Sequence, residues 1–131
     1  MALVTSWTTR MKLRATIMGG TKVDLDAYQF FAVAGIEDIK PGERLFIEIG
    51  DKPIVLLNVN GALYALGDVC THDGGPLGDG EIEGFDIICP RHGARFDIRT
   101  GEVLALPAVE DAPTYPVRVI AGQIEIGLQV K

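Results

Sequence analysis

Cys70-Thr71-His72-Asp73-Gly74-Gly75-Pro76-Leu77 and, after sixteen intervening residues counted from His72, Cys89-Pro90-Arg91-His92-Gly93-Ala94-Arg95-Phe96-Asp97 are the two stretches on which the reading of this chain turns. They contain the only two cysteines and the only two histidines of the 131 residues. Each run holds one thiol followed by one imidazole. Two thiolates and two imidazoles therefore converge on one metal centre, and no such residue is left over for another.

Two centres use that donor set. One is a tetrahedral zinc held by two Cys and two His. The other is a [2Fe–2S] cluster in which two His replace two Cys on one iron. A common zinc finger places its two Cys in one knuckle and its two His on a helix. Here each knuckle carries one of each, which suits a binuclear cluster in which each loop gives sulfur to one iron and nitrogen to the other. A Cys70–Cys89 disulfide, the secreted-protein alternative, is disfavoured by the His that accompanies each Cys.

The two runs resemble the cluster loops of Rieske proteins, above all the small Rieske ferredoxins of bacterial ring-hydroxylating dioxygenase systems. The resemblance continues through Thr100-Gly101-Glu102-Val103, Leu106-Pro107-Ala108 and Tyr115-Pro116-Val117-Arg118-Val119, and spans about Tyr28 to Leu128. It implies one Rieske cluster. Cys70 and Cys89 would be thiolate ligands of the inner iron. His72 and His92 would be neutral ligands of the outer iron through Nδ1, leaving both Nε2 atoms toward solvent as the electron exit and coupling reduction to protonation. Around these ligands the resemblance places Gly74, Gly75, Pro76, Pro90, Arg91, Gly93, Ala94, Phe96 and Pro107. Gly74, Gly75, Gly78 and Gly93 either bring backbone N–H groups close to the sulfides or serve as turn glycines. Pro76, Pro90 and Pro107 stiffen and shield the loops, or Pro107 simply ends a strand. Arg91 either tunes docking or is solvated. Phe96 packs beneath the cluster. Asp73, Asp79, Arg95 and Asp97 read as surface or loop-bracing residues, and an exposed Arg95–Asp97 ion pair would be worth little.

Two ferric ions, two sulfides and two thiolates sum to zero charge, where an all-Cys cluster would carry −2, so His ligation raises the potential, to about −150 to +300 mV across Rieske centres. High-potential members of the resembled family carry a Ser and a Tyr whose hydroxyls bond to cluster sulfurs, and a disulfide between the loops. The matching positions here are Ala94 and Phe96, which cannot donate, and Gly75 and Arg91. A potential at the low end, roughly −150 mV, is expected.

The length sets one domain. A hydrophobic fraction of 47% with 16 Gly and 7 Pro implies many short strands and tight turns. No run reaches the ~18 apolar residues of a membrane-spanning helix, so no membrane insertion is expected. The net charge is −6. Residues 1–29 hold Arg10, Lys12, Arg14 and Lys22 against Asp24 and Asp26, a local +2, which leaves −8 for the rest. An acidic body argues against nucleic acid as a partner. It fits docking on basic patches of redox proteins, or ordinary acidic solubility. Residues 1–27, with Trp7, read as a flexible leader without stable contacts, mildly similar to a transit peptide, or as an over-long start preceding Met11 or Met18.

From Tyr28 on, the pattern is all-β. Leu45, Ile47 and Ile49 alternate with Phe46 and Glu48. Val117-Arg118-Val119 and Gln123-Ile124-Glu125-Ile126 alternate across an Ala121-Gly122 turn. Asn60-Gly61 between Ile54–Val59 and Ala62–Leu66 is a two-residue hairpin signal. Glu83-Gly84 separates two short strands. No long helix is predicted. The expected architecture is an antiparallel sandwich or small barrel over 28–131, with a cluster-binding subdomain at about 67–106.

No catalytic residues are predicted. All four ligands are used, so no open metal position remains, and neither a separate acid–base or nucleophile set nor a two-His-one-carboxylate iron site can be assembled. The resemblance implies a one-electron carrier that is not itself an enzyme, cytoplasmic, taking electrons from a flavoprotein or ferredoxin reductase and delivering them to a terminal oxygenase. The alternatives are a fixed Rieske subunit of a larger oxidoreductase, similar to nitrite reductase or arsenite oxidase small subunits, and, further off, a structural zinc module.

Overall fold

The computed structural model describes residues 27–71, 74–108 and 110–129. The leader, apart from Ala27, lies outside them, and so do His72 and Asp73. The described residues are almost entirely strand and turn. In chain order the strands are β1 (Tyr28–Gly35), β2 (Arg44–Ile49), β3 (Lys52–Val59), β4 (Ala62–Gly67), β5 (Glu81–Glu83), β6 (Asp86–Ile88), β7 (Arg95–Asp97), β8 (Val103–Ala105), β9 (Thr114–Tyr115), β10 (Val117–Ile120) and β11 (Gln123–Gln129). One short 3-10 turn, Ile36–Asp38, follows β1.

Two units are distinguishable, residues 1–40 with 115–131, and Pro41–Thr114. The described part of the first is an antiparallel sheet of order β1-β11-β10. The second holds two four-stranded sheets, β2-β3-β4-β9 and β5-β6-β7-β8, with β9 straddling the boundary between the units. Among the described residues every sheet is open, so of the two predicted architectures the closed barrel drops out.

Local chemistry sets the hairpins. Asn60 (φ 55°) and Gly61 (φ 97°) join β3 to β4 in the register Val59↔Ala62, and the Asn58 side chain accepts from the Gly61 N–H at 2.8 Å. Both central residues have positive φ, the twist that a two-residue hairpin favours. Ala121 and Gly122 (φ 51° and 80°) repeat this between β10 and β11. Gly50-Asp51, unread in the sequence although Gly-Asp is a recognised hairpin pair, joins β2 to β3. The turn read as Glu83-Gly84 lies one residue later. Glu83 pairs with Asp86 as the last residue of β5, and the turn is Gly84-Phe85.

β2 alternates as expected, with Phe46 and Glu48 exposed and Leu45, Ile47 and Ile49 partly buried. β10 and β11 do not. Arg118 and Glu125 are directly opposite each other and buried, with Arg118 Nε 2.8 Å from Glu125 Oε1, while Val119 is exposed. The Arg118 guanidinium also stacks 3.7 Å over the Phe30 ring. Opposite charges in register, together with an aromatic face, allow the polar residues to take the inside. Hydropathy alternation alone cannot see that.

The core of the second unit decides where function sits. Val55, Leu57, Leu66, Leu77, Ile87, Ala94, Phe96, Ile98, Ala108 and Ala112 form one buried cluster, and both cysteines belong to it. Phe96 is its largest fully buried side chain, and burying it contributes roughly 1.5–3 kcal/mol.

Candidate metal centre

The two cysteine loops share a backbone design. In the first, the Cys70 N–H donates to Gly75 O at 2.7 Å and the Gly74 N–H to Cys70 O at 2.7 Å. In the second, the Cys89 N–H donates to Ala94 O at 2.7 Å and the Gly93 N–H to Cys89 O at 3.0 Å. The offsets are the same, and so is the left-handed glycine at the fourth residue after each Cys (Gly74 φ 76°, Gly93 φ 79°). An L side chain is strained in that conformation. These two glycines are needed for the turn.

The loops hang on different supports. The second connects β6 to β7 as a hairpin, closed at Ile88↔Arg95. The first leaves β4 without such a frame, and side chains from elsewhere hold it. Asp68 Oδ1 accepts from the N–H groups of Leu77 (2.9 Å) and Gly78 (2.6 Å). Arg44 Nη1 donates to Gly78 O and, at 2.8 Å, to Gly80 O. Thr71 Oγ1 donates to Glu110 O at 2.6 Å. None of these braces was read from the sequence. Asp68 had a legible signal, a short acceptor side chain ahead of a Gly-rich turn. Arg44, 34 residues from Gly78, had none.

The loops bring both thiols into the core. Cys70 is fully buried, Cys89 is 2% exposed, and the two form no disulfide but lie within hydrogen-bond reach of one another. Burial pushes the Cys89 thiol up. The N–H groups of Arg91 and His92, then the Cys70 thiol and the Arg91 charge, outweigh that and bring it below the ordinary cysteine range. Such an environment favours thiolate, the form that ligates metal. His92 is exposed. Sulfur donors thus lie inward and the described imidazole outward.

Among the described residues no three His, Cys, Asp or Glu side chains gather about a single point, the arrangement one ion would need. A two-iron cluster has no such requirement, because its sulfur and nitrogen donors belong to different irons. The pair of close, buried sulfurs fits that group. His72 lies outside the described residues.

The other expected residues divide. Ala94 and Phe96 are fully buried beside the cysteines and present no hydroxyl. Pro76 and Pro90 are exposed, and Pro107 is half-buried. Gly75 does not share the positive φ of Gly74 and Gly93, and a Cβ built on it would meet the Arg91 guanidinium. Arg91 is exposed yet anchored. Nη1 donates to Pro76 O at 2.8 Å and Nη2 to Cys89 Sγ at 3.4 Å. The Arg95–Asp97 pair considered from the sequence does not form. Arg95 pairs with Glu83 (3.0 Å) and Asp86 (3.1 Å), and Asp97 with Arg99 (3.0 Å). The reason is register. Asp86 stands opposite Asp97, and each carboxylate is met by its own arginine.

Residues 29–116 match the family model described as the Rieske [2Fe-2S] domain. The ferredoxin component of the naphthalene 1,2-dioxygenase/salicylate 5-hydroxylase systems of Ralstonia sp is 40% identical over 86 residues, 66% of this chain and 83% of that protein. The ferredoxin of carbazole 1,9a-dioxygenase from Nocardioides aromaticivorans IC177 superimposes with a TM-score of 0.70 at 29% identity, covering 75% of this chain and 96% of that one. A chain from the complex of reduced oxygenase and oxidized ferredoxin in carbazole 1,9a-dioxygenase gives 0.71 at 28% identity, covering 78% and 95%.

Proposed function

The chain belongs to the Rieske [2Fe–2S] family, and on that premise we propose that it is the ferredoxin component of an oxygenase system, a one-electron carrier that is not itself the catalyst. The cluster of that family replaces the zinc reading. We assign its ligands as Cys70 and Cys89 through sulfur and His72 and His92 through nitrogen, within a cluster-binding subdomain of about 67–106. When bound, the cluster accepts and releases one electron at a time. The observation that carries the assignment is the pair of matched loops that bury two thiols side by side while His92 reaches solvent.

The protein's part in electron transfer is to hold and shield. Leu77, Ala94 and Phe96, all fully buried, keep water from the sulfur side. The exposed His92 edge gives a partner its shortest approach. Ala94 and Phe96 donate no hydrogen bond to sulfur, so the potential stays toward the low end of the Rieske range.

The terminal oxygenase is the electron acceptor in this reading, supported by the ferredoxin–oxygenase complex among the similar structures. A flavoprotein or ferredoxin reductase is the donor and the cytoplasm the setting. Among the described residues no helix is long and apolar enough to cross a membrane.

A redox titration of anaerobically purified protein followed by EPR tests the proposal. The expected result is a rhombic signal with an average g below that of all-cysteine clusters and a midpoint below zero, near roughly −150 mV. A midpoint above about +100 mV would overturn the low-potential carrier. Zinc without an EPR signal would overturn the cluster.

A further inference from the structure

We propose that Arg91 is a positioning residue of the metal centre: its guanidinium ties the second ligand loop to the first and holds positive charge against the Cys89 sulfur, so that it slows loss of the cluster and favours its reduced form. The inference rests on the Rieske assignment above.

Three contacts converge on this one side chain. Nη1 donates to Pro76 O at 2.8 Å, which crosses from the second loop to the first. Nη2 donates to Cys89 Sγ at 3.4 Å. The third is steric. A Cβ at Gly75 would lie 2.9 Å from both Cζ and Nη2 of Arg91 and 3.1 Å from Nε, so the guanidinium lies over the glycine. A solvated arginine would show none of this. The planar fork of Arg can serve two acceptors in fixed directions, whereas an ammonium acts as a point charge. One side chain between His92 and Cys89 in sequence therefore links both loops and a ligand atom.

The electrostatic consequence follows from charge. A bound cluster would be one unit more negative in its reduced form, and a fixed cation in hydrogen-bond contact with a ligating sulfur would favour that form. The mechanical consequence follows from the bridge. Removing Arg91 leaves Pro76 O without this donor and the loops freer to part.

Gly75 offers an independent handle. Its φ is not positive, so alanine is allowed by the backbone. The three nearest atoms all belong to the Arg91 side chain, so the added methyl would push the guanidinium aside. Gly75→Ala displaces the latch while leaving its charge in the chain.

The experiment compares purified holoprotein of the wild type, Arg91→Leu, Arg91→Lys and Gly75→Ala. Two readouts are taken: decay of the cluster absorbance in excess iron chelator, and the midpoint from EPR-monitored titration. Arg91→Leu is expected to lose the cluster about 10–100-fold faster, the usual effect of removing a group that supports a metal ligand. Its reduction equilibrium should shift about tenfold toward the oxidised form, which is about 59 mV for one electron. Arg91→Lys should recover most of the midpoint and little of the retention, because it restores charge without the fork. Gly75→Ala should lose the cluster faster with a smaller change in midpoint. Wild-type decay and midpoint in Arg91→Leu would overturn the proposal. Faster decay with an unmoved midpoint in all three variants would overturn its electrostatic half. If Arg91→Leu sheds its cluster during isolation, Arg91→Lys and Gly75→Ala decide the matter by the same criteria. A wild-type protein without the Rieske signal would instead sink the assignment beneath it.

Discussion

From Cys70 to Gly75 and from Cys89 to Ala94 the backbone makes the same pair of hydrogen bonds, yet the two segments are held by different means. The second is the turn of the β6–β7 hairpin, and ladder register fixes its ends. The first has no flanking ladder at its far end and relies on Asp68, Arg44 and Thr71. One geometry thus has two supports, one made of main chain and one of side chains. Removing a single brace such as Asp68 should therefore loosen the first loop, whereas the ends of the second stay pinned by main-chain register.

The largest effect belongs to the atoms the loops exist to place. Cys70→Ser or Cys89→Ser should each abolish the visible absorbance and the EPR signal. A Rieske spectrum surviving in one of them would break the equivalence of the loops. Next is Phe96→Ala, which empties the core to which both cysteines belong. It should lower unfolding free energy by about 3–5 kcal/mol, read from denaturant titration. A much smaller loss would mean the loops stand without that floor. Asp68→Ala should act on the first loop alone. It strips the acceptor from two backbone N–H groups, about 1–3 kcal/mol for a buried donor left unpaired, and should hasten cluster loss in chelator while Asp68→Asn largely spares it. Equal effects of both variants would show that Asp68 is no brace.

The smallest effect concerns the strand that leads out of the second loop. Hydrogen bonds from Arg99 hold the Asp97 carboxyl below its ordinary value, against an opposing push from burial. A depressed folded-state pKa contributes stability that is full above the unfolded value, about 3.9, and is lost as pH falls through the folded value. Wild type should therefore exceed Asp97→Asn in urea midpoint at neutral pH, with the gap closing below that point. A gap independent of pH would remove Asp97 from the electrostatics of the hairpin.

The parts legible in the sequence were those encoded locally. The donor set is visible because Cys and His occur nowhere else. Asn60-Gly61 announces its turn because few residue pairs accept positive φ twice, and Ala121-Gly122 is marked instead by the alternating strands on either side of it. What escaped depends on register and distance. Arg95 shares a strand face with Asp97, but the antiparallel ladder set Asp86 within its reach and the turn after β7 gave Asp97 to Arg99. Arg118 and Glu125 broke the inside–outside alternation because each stands opposite the other. Arg44 reaches the first loop across 34 residues. Arg91 was adjacent to the ligands, but only the fold shows Pro76 O within its span.

The depth of the two thiols also bears on how the finished molecule comes into being. Cys70 is wholly enclosed and Cys89 nearly so. Iron and sulfide delivered to an already closed chain would meet no accessible sulfur. Loading must therefore coincide with an opening of the loops or precede the final consolidation of the core.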